Sequence, residues 1–142
     1  MVDRTLILRK LSALEEYYKQ IAEYRSISTD LYVKDWKSQR IIERTLQMMV
    51  ETCIDIAGHI IADMKYRVPI SYSDSFLVLA ENDIVNESLS TSLEKMAKFR
   101  SIVVHDYDRV DAEIVGILRK NLDDFTKFKD AIVKFINKES QK

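Results

Sequence analysis

Residues 40–63 read RIIERTLQMMVETCIDIAGHIIAD, and this stretch decides the architecture. Ile42, Leu46, Met49, Cys53, Ile56 and Ile60 follow one another at alternating spacings of four and three, which places them on one stripe of an α-helix. Val50, Ile54, Ala57, Ile61 and Met64 widen that stripe, so the helix is expected to be buried on more than one side. Upstream, the polar segment Ser26-Ile27-Ser28-Thr29-Asp30 offers several N-caps, and the long helix is expected to run from there to about Lys65. Before it, Ile7, Leu11, Leu14, Tyr18 and Ile21 mark a first helix over roughly residues 4–25. After it, Tyr66 to Ser73 holds Pro69 and has no helical period, so it reads as a connection.

Ser71 and Asp74 have capping-box spacing and predict a short helix through Phe76, Leu77, Leu79 and Ala80, closed by Asn82-Asp83. Asn86 can cap the next helix, whose stripe is Leu89, Leu93, Met96, Arg100 and Val103. Asp108, with Asp111 three residues on, can open a last helix carrying Val110, Ile114, Ile117, Phe125, Ile132 and Phe135. The pattern predicts an all-α chain, an antiparallel up-and-down bundle of four main helices plus one short helix, forming a single domain over 1–142. Two Gly and one Pro in 142 residues leave few turns, which suits this reading.

The lone cysteine, Cys53, sits inside an apolar run and cannot form an intramolecular disulfide, pointing to a buried thiol and a cytoplasmic location. No apolar run reaches membrane-spanning length. A net charge of −1 excludes a chain-wide basic field for nucleic acid, although one cleft needs only local positive charge.

Phe99-Arg100-Ser101-Ile102-Val103-Val104-His105-Asp106-Tyr107 is the segment that can carry chemistry. It sets a guanidinium on an apolar stripe and adds an imidazole and a phenol, in a chain with two histidines. At 100° per residue, Arg100 and Tyr107 share a helical face while His105 falls about 140° away. Either the helix unwinds near Val104, or a second copy of the chain completes the group. A neutral imidazole can take the proton of a ribose 2′-hydroxyl, and a guanidinium can hold the phosphate oxygens as charge builds on them. Such a group suits RNA cleavage to a cyclic phosphate and a 5′-hydroxyl, with no metal and no cofactor.

RSIVVHDY resembles the R-x4-H-x-Y signature of HEPN domains of the HepT kind, the toxin half of a bacterial and archaeal two-gene module. RIIERTLQMMVETCIDIAGHIIAD resembles that family's long second helix, VPISYSDSFLVL its proline-containing connection and short helix, and VDAEIVGILRKNLDDFTKF its last helix. The resemblance implies a HEPN-like homodimer, with further association of dimers left open, an RNA substrate, and Arg100 and His105 as the catalytic pair. It also implies a small nucleotidyltransferase antitoxin as partner, which adenylylates Tyr107. Ser101 departs from the Asn that many members carry after the motif arginine, so a changed hydrogen bond is expected there.

Plainer readings stand beside these. His105 can be a helix-terminal histidine interacting with carbonyl ends, and Tyr107 an ordinary half-buried aromatic. Arg100 can pair with a buried carboxylate, Glu51 and Asp55 being the candidates. Asp55 and His59, four apart, have a spacing that can hold a metal, but two ligands are insufficient and a polar pair near the cleft is expected instead. Met48, Met49, Met64 and Met96 are core filling. Lys95, Lys98 and Arg109 flank the motif and can guide RNA or form a solvated face. Two competing functions remain: a nucleotide-binding accessory subunit of a nucleotidyltransferase that cuts nothing, and a purely structural helical dimer.

Overall fold

Seven helices make up the regular structure of the described residues, which in this computed structural model are 2–105 and 110–141 for the backbone and 2–98 and 114–141 for the side chains. They are α1 (Arg4–Ala22), α2 (Thr29–Lys34), α3 (Trp36–Met64), α4 (Tyr72–Glu81), α5 (Glu87–His105), α6 (Val110–Lys120) and α7 (Asp123–Ser140). No strand occurs among the described residues, and the chain is all-α as its periodicity implies. Short polar side chains set the starts. Asp3 caps α1, Ser28 α2, Asp35 α3 and Ser71 α4, each accepting from the N–H three residues on. Asn86 does the same for α5, at 2.7 Å from the Leu89 N–H.

Cross-helix contacts fix the directions. Asp3 lies against Asp63, and Lys10 pairs with Asp55, so α1 and α3 run antiparallel. Arg4 reaches Asn137, Glu15 pairs with Lys129 at 2.9 Å, and Tyr18 donates to Asp123 at 2.8 Å, so α1 and α7 are antiparallel as well. Met64 at the end of α3, Leu89 in the first turn of α5 and Phe135 late in α7 line one groove, so α5 starts where α3 and α7 finish. Up, down, up and down is the result for α1, α3, α5 and α7, with α4 packed on α3 and α5.

Two of the expected helices are jointed. The segment after Ser28 divides at Asp35, which leaves helical geometry to accept from the Ser38 N–H (3.4 Å) and hydroxyl (2.8 Å). The break lets wholly buried Tyr32 turn inward, its hydroxyl donating to Glu43 at 3.1 Å. The last helix divides at Asn121-Leu122, because α6 packs on α2 whereas α7 packs on α1 and α5, and two sets of neighbours require two axes. The first helix ends at Ala22, three residues short of the expected stop.

Buried side chains from all seven helices form one connected cluster, in which the predicted stripe of α3 is buried from Ile42 to Ile60. Phe76 of α4 meets Phe128 of α7 edge to face, ring centroids 6.0 Å apart. Each such side chain contributes roughly 1.5–3 kcal/mol by leaving water.

One polar cluster anchors the proline-containing connection. The Arg67 guanidinium binds Asp74 through two hydrogen bonds (2.7 and 2.9 Å) and Glu81 through two more (2.8 and 2.9 Å). Asp74 also accepts from the Ile70 N–H at 3.0 Å. The sequence's capping box is therefore half realised: Ser71 receives the Asp74 N–H, but the Asp74 carboxylate turns to Arg67 and Ile70. Arg67 and the Ile70 N–H hold the Asp74 carboxyl at a pKa of about 2. Because that value lies below the ordinary one, the stabilisation is present above about pH 4 and is lost as pH falls through about 2. Denaturant titrations should find Arg67→Leu less stable than the unsubstituted chain at pH 7, and Asp74→Asn should lose less stability than the unsubstituted chain between pH 5 and pH 2.

Candidate functional site

Helix α5 brings the motif into place. Its first half is fixed by buried Leu89, Leu93, Met96 and Ala97, with buried Ser90 donating to Glu94 at 3.1 Å. Lys95 and Lys98 are exposed. The helix continues through Val104 to His105, and the turn signals at Asp106 and Asp108 lie outside the described residues. Five helical steps separate positions 100 and 105, which turns them about 140° apart around the axis. Arg100, Ser101 and His105 thus lie on described helical backbone, with side chains outside the described set; Tyr107 and Arg109 lie outside the described residues.

The last turns of α5, with positions 100 and 105, lie at the end of the bundle opposite Met64 and Leu89. Helix α6 resumes five residues after His105 and packs on α2, and Arg119 donates to the Ile27 carbonyl at 3.4 Å. At this same end Arg25, Tyr18 and Asp123 tie the exit of α1 to the start of α7: Arg25 Nη2 lies 2.6 Å from Asp123 and 2.9 Å from the Tyr18 hydroxyl. Arg25 chiefly, then Tyr18, lowers the Asp123 carboxyl below the ordinary range.

The carboxylates considered as partners for Arg100 are disposed differently from one another. Glu51 is half-buried and accepts from Gln47 at 3.2 Å. Asp55 is 49% exposed, pairs with Lys10 of α1, and stands 3.6 Å from His59 Nε2. An exposed carboxylate with its own local cation is not the buried counter-ion envisaged for Arg100. Asp55 and His59 line an open groove of about 820 Å³ with Gly58, Pro69, Ile70 and Tyr72. Among the described residues no three His, Cys, Asp or Glu side chains gather as a metal site requires.

Cys53 is wholly buried, and burial raises its thiol above the ordinary value, so it is no nucleophile. Neither the Arg67 cluster nor the Arg25 cluster was legible in the sequence, since their partners are 7 to 14 and 98 residues distant and follow no local spacing. No described helix is long and apolar enough to cross a membrane.

Residues 14–132 match the family model described as Ribonuclease HepT-like, and the chain belongs to that family. It is 34% identical over 128 residues to the mRNA nuclease HepT of Shewanella oneidensis, covering 89% of this chain and 96% of that one. It is 26% identical over 110 residues to the tRNA nuclease HepT of Aphanizomenon flos-aquae, covering 78% and 75%. A solved structure of tri-AMPylated Shewanella oneidensis HEPN toxin in complex with MNT antitoxin superposes with a TM-score of 0.83 at 32% identity, covering 94% of this chain and 99% of that chain.

Burial of Cys53 sets a simple check. An aromatic disulfide reagent should leave the native thiol unreacted over hours and titrate one thiol per chain once denaturant unfolds the bundle.

Proposed function

We propose that this chain, acting as one HEPN-like domain over 1–142, is a metal-independent endoribonuclease of the cytoplasm. In this reading it is the toxin of a two-gene module, held inactive by adenylylation of Tyr107. The observation that carries the reading is the R-x4-H-x-Y motif, with Arg100 and His105 in the last turns of α5, in a chain of the HepT-like family. The names of its relatives, an mRNA nuclease and a tRNA nuclease, support RNA as the substrate class.

His105, acting as general base, removes the 2′-hydroxyl proton as that oxygen attacks the adjacent phosphorus. The bond to the 5′-oxygen breaks, giving a 2′,3′-cyclic phosphate, and the leaving oxygen takes up a proton. Arg100 carries the charge that accumulates on the non-bridging oxygens, a task to which its planar fork is suited. The angle of about 140° between positions 100 and 105 of α5 favours a two-fold dimer, in which each chain lends a motif to a shared cleft. His105 of the partner subunit can then return the proton to the 5′-oxygen.

A nucleotidyltransferase would transfer AMP from ATP to the Tyr107 hydroxyl, releasing pyrophosphate. Each added phosphodiester places a negative charge beside Arg100 and competes with RNA for it. The tri-AMPylated state of the Shewanella toxin supports this route.

Purified protein incubated with RNA and a chelator should release cyclic-phosphate ends, and His105→Ala should cut at least about 100-fold more slowly. Equal rates in the two proteins would defeat the nuclease reading, and measurable ATP affinity with inert RNA would replace it with the accessory-subunit one. Co-expression with the cognate nucleotidyltransferase should add AMP masses to a peptide containing Tyr107; a Tyr107→Phe chain that gains the same mass would move the modified site elsewhere.

A further inference from the structure

Trp36, the lone tryptophan, is 65% exposed at the start of α3, where a large aromatic side chain is costly to leave in water. Its place in the fold is informative. Because α3 runs antiparallel to α1 and ends at the groove where α5 begins, Trp36 lies at the opposite end. Helix α5, with 19 residues, rises roughly 28 Å from that groove toward the same end. Its successor α6 packs on α2, two residues before Trp36. Trp36 and the last turns of α5 therefore share one end of the bundle.

The surroundings of the ring are cationic. Lys37 Nζ stands 5.7 Å from its centroid, leaving the rest of the ring surface to solvent. Arg40 and Arg44 follow at four-residue steps on the same exposed face of α3, and exposed Lys34 precedes it. Both carboxylates in the segment are engaged: Asp35 caps α3, and Glu43 accepts from Tyr32 and Arg40. Lys37 thus stands beside the open aromatic face, with exposed Lys34 before it and exposed Arg40, paired with Glu43 at 3.4 Å, and Arg44 on the next two turns of α3.

We propose that Trp36 is a stacking platform for one base of a single-stranded RNA, with Lys34, Lys37, Arg40 and Arg44 holding the neighbouring phosphates. The assignment rests on the nuclease reading for the identity of the nucleic acid. Charge complementarity selects this occupant: a flexible polyanion with flat bases satisfies ring and cations together. A second copy seated symmetrically on the same face would oppose like charges.

Being the lone tryptophan, Trp36 is its own reporter. The test uses the His105→Ala chain and a fluorescein-labelled single-stranded oligouridylate, with anisotropy reading binding and tryptophan emission reading the ring. Saturable quenching is expected over the concentrations at which anisotropy rises. Trp36→Ala should weaken binding about 5- to 150-fold, and Trp36→Phe should recover part of the loss. Binding without quenching, no binding by anisotropy, or a changed molecular mass of Trp36→Ala in light scattering would each overturn the platform, the last by making the ring a contact between chains. Cleavage by the unsubstituted chain is scored separately. Quenching without cleavage sinks the nuclease reading and keeps the platform, whereas cleavage with unmoved emission does the reverse.

Discussion

The need to bury both flanks of α3 is the constraint on which the remaining helices depend. Its stripe from Ile42 to Ile60 is too wide for one neighbour, and Val50, Ala57 and Ile61 extend it around the helix. Contacts with α1 on one side and with α4 and α5 on another satisfy that requirement. With α3 enclosed in this way, α5 runs antiparallel to it, and the end of α5 that holds positions 100 and 105 lies away from the groove where α3 stops. Position of the site thus follows from the hydrophobic requirement of a helix that holds none of the motif.

Periodicity revealed the long helices because their apolar stripes are regular and their caps use ordinary residue types. Ser71 and Asn86 were recognisable as caps, and both make the expected hydrogen bond. The joints were less visible. Asp35 is a good N-cap residue, but it lies inside a stretch whose average composition suits a continuous helix, and only the burial of Tyr32 explains the break. At Asn121-Leu122 the apolar spacing persists across the joint, so a change of neighbours, which no local pattern encodes, divides α6 from α7.

For the candidate site, the sequence supplied the residue types and the helix supplies their angular relation. Arg100 on an apolar stripe was an anomaly that composition could not resolve. A helix continuous to His105 sets the two positions about 140° apart around its axis, and the proposed two-fold arrangement rests on that angle. The carboxylates on α3 were named from proximity in sequence pattern alone. Exposure of Asp55 and its pairing with Lys10 depend on α1, whose placement only the three-dimensional arrangement reveals.

The pairing of α1 with α7 bears on how the bundle is made. Arg4 to Asn137, Glu15 to Lys129 and Tyr18 to Asp123 join residues 133, 114 and 105 positions apart. Contacts of such separation close late, because the intervening chain must be ordered or drawn in before they form. During synthesis the inner surface of α1 therefore waits, partly uncovered, until α7 has left the ribosome.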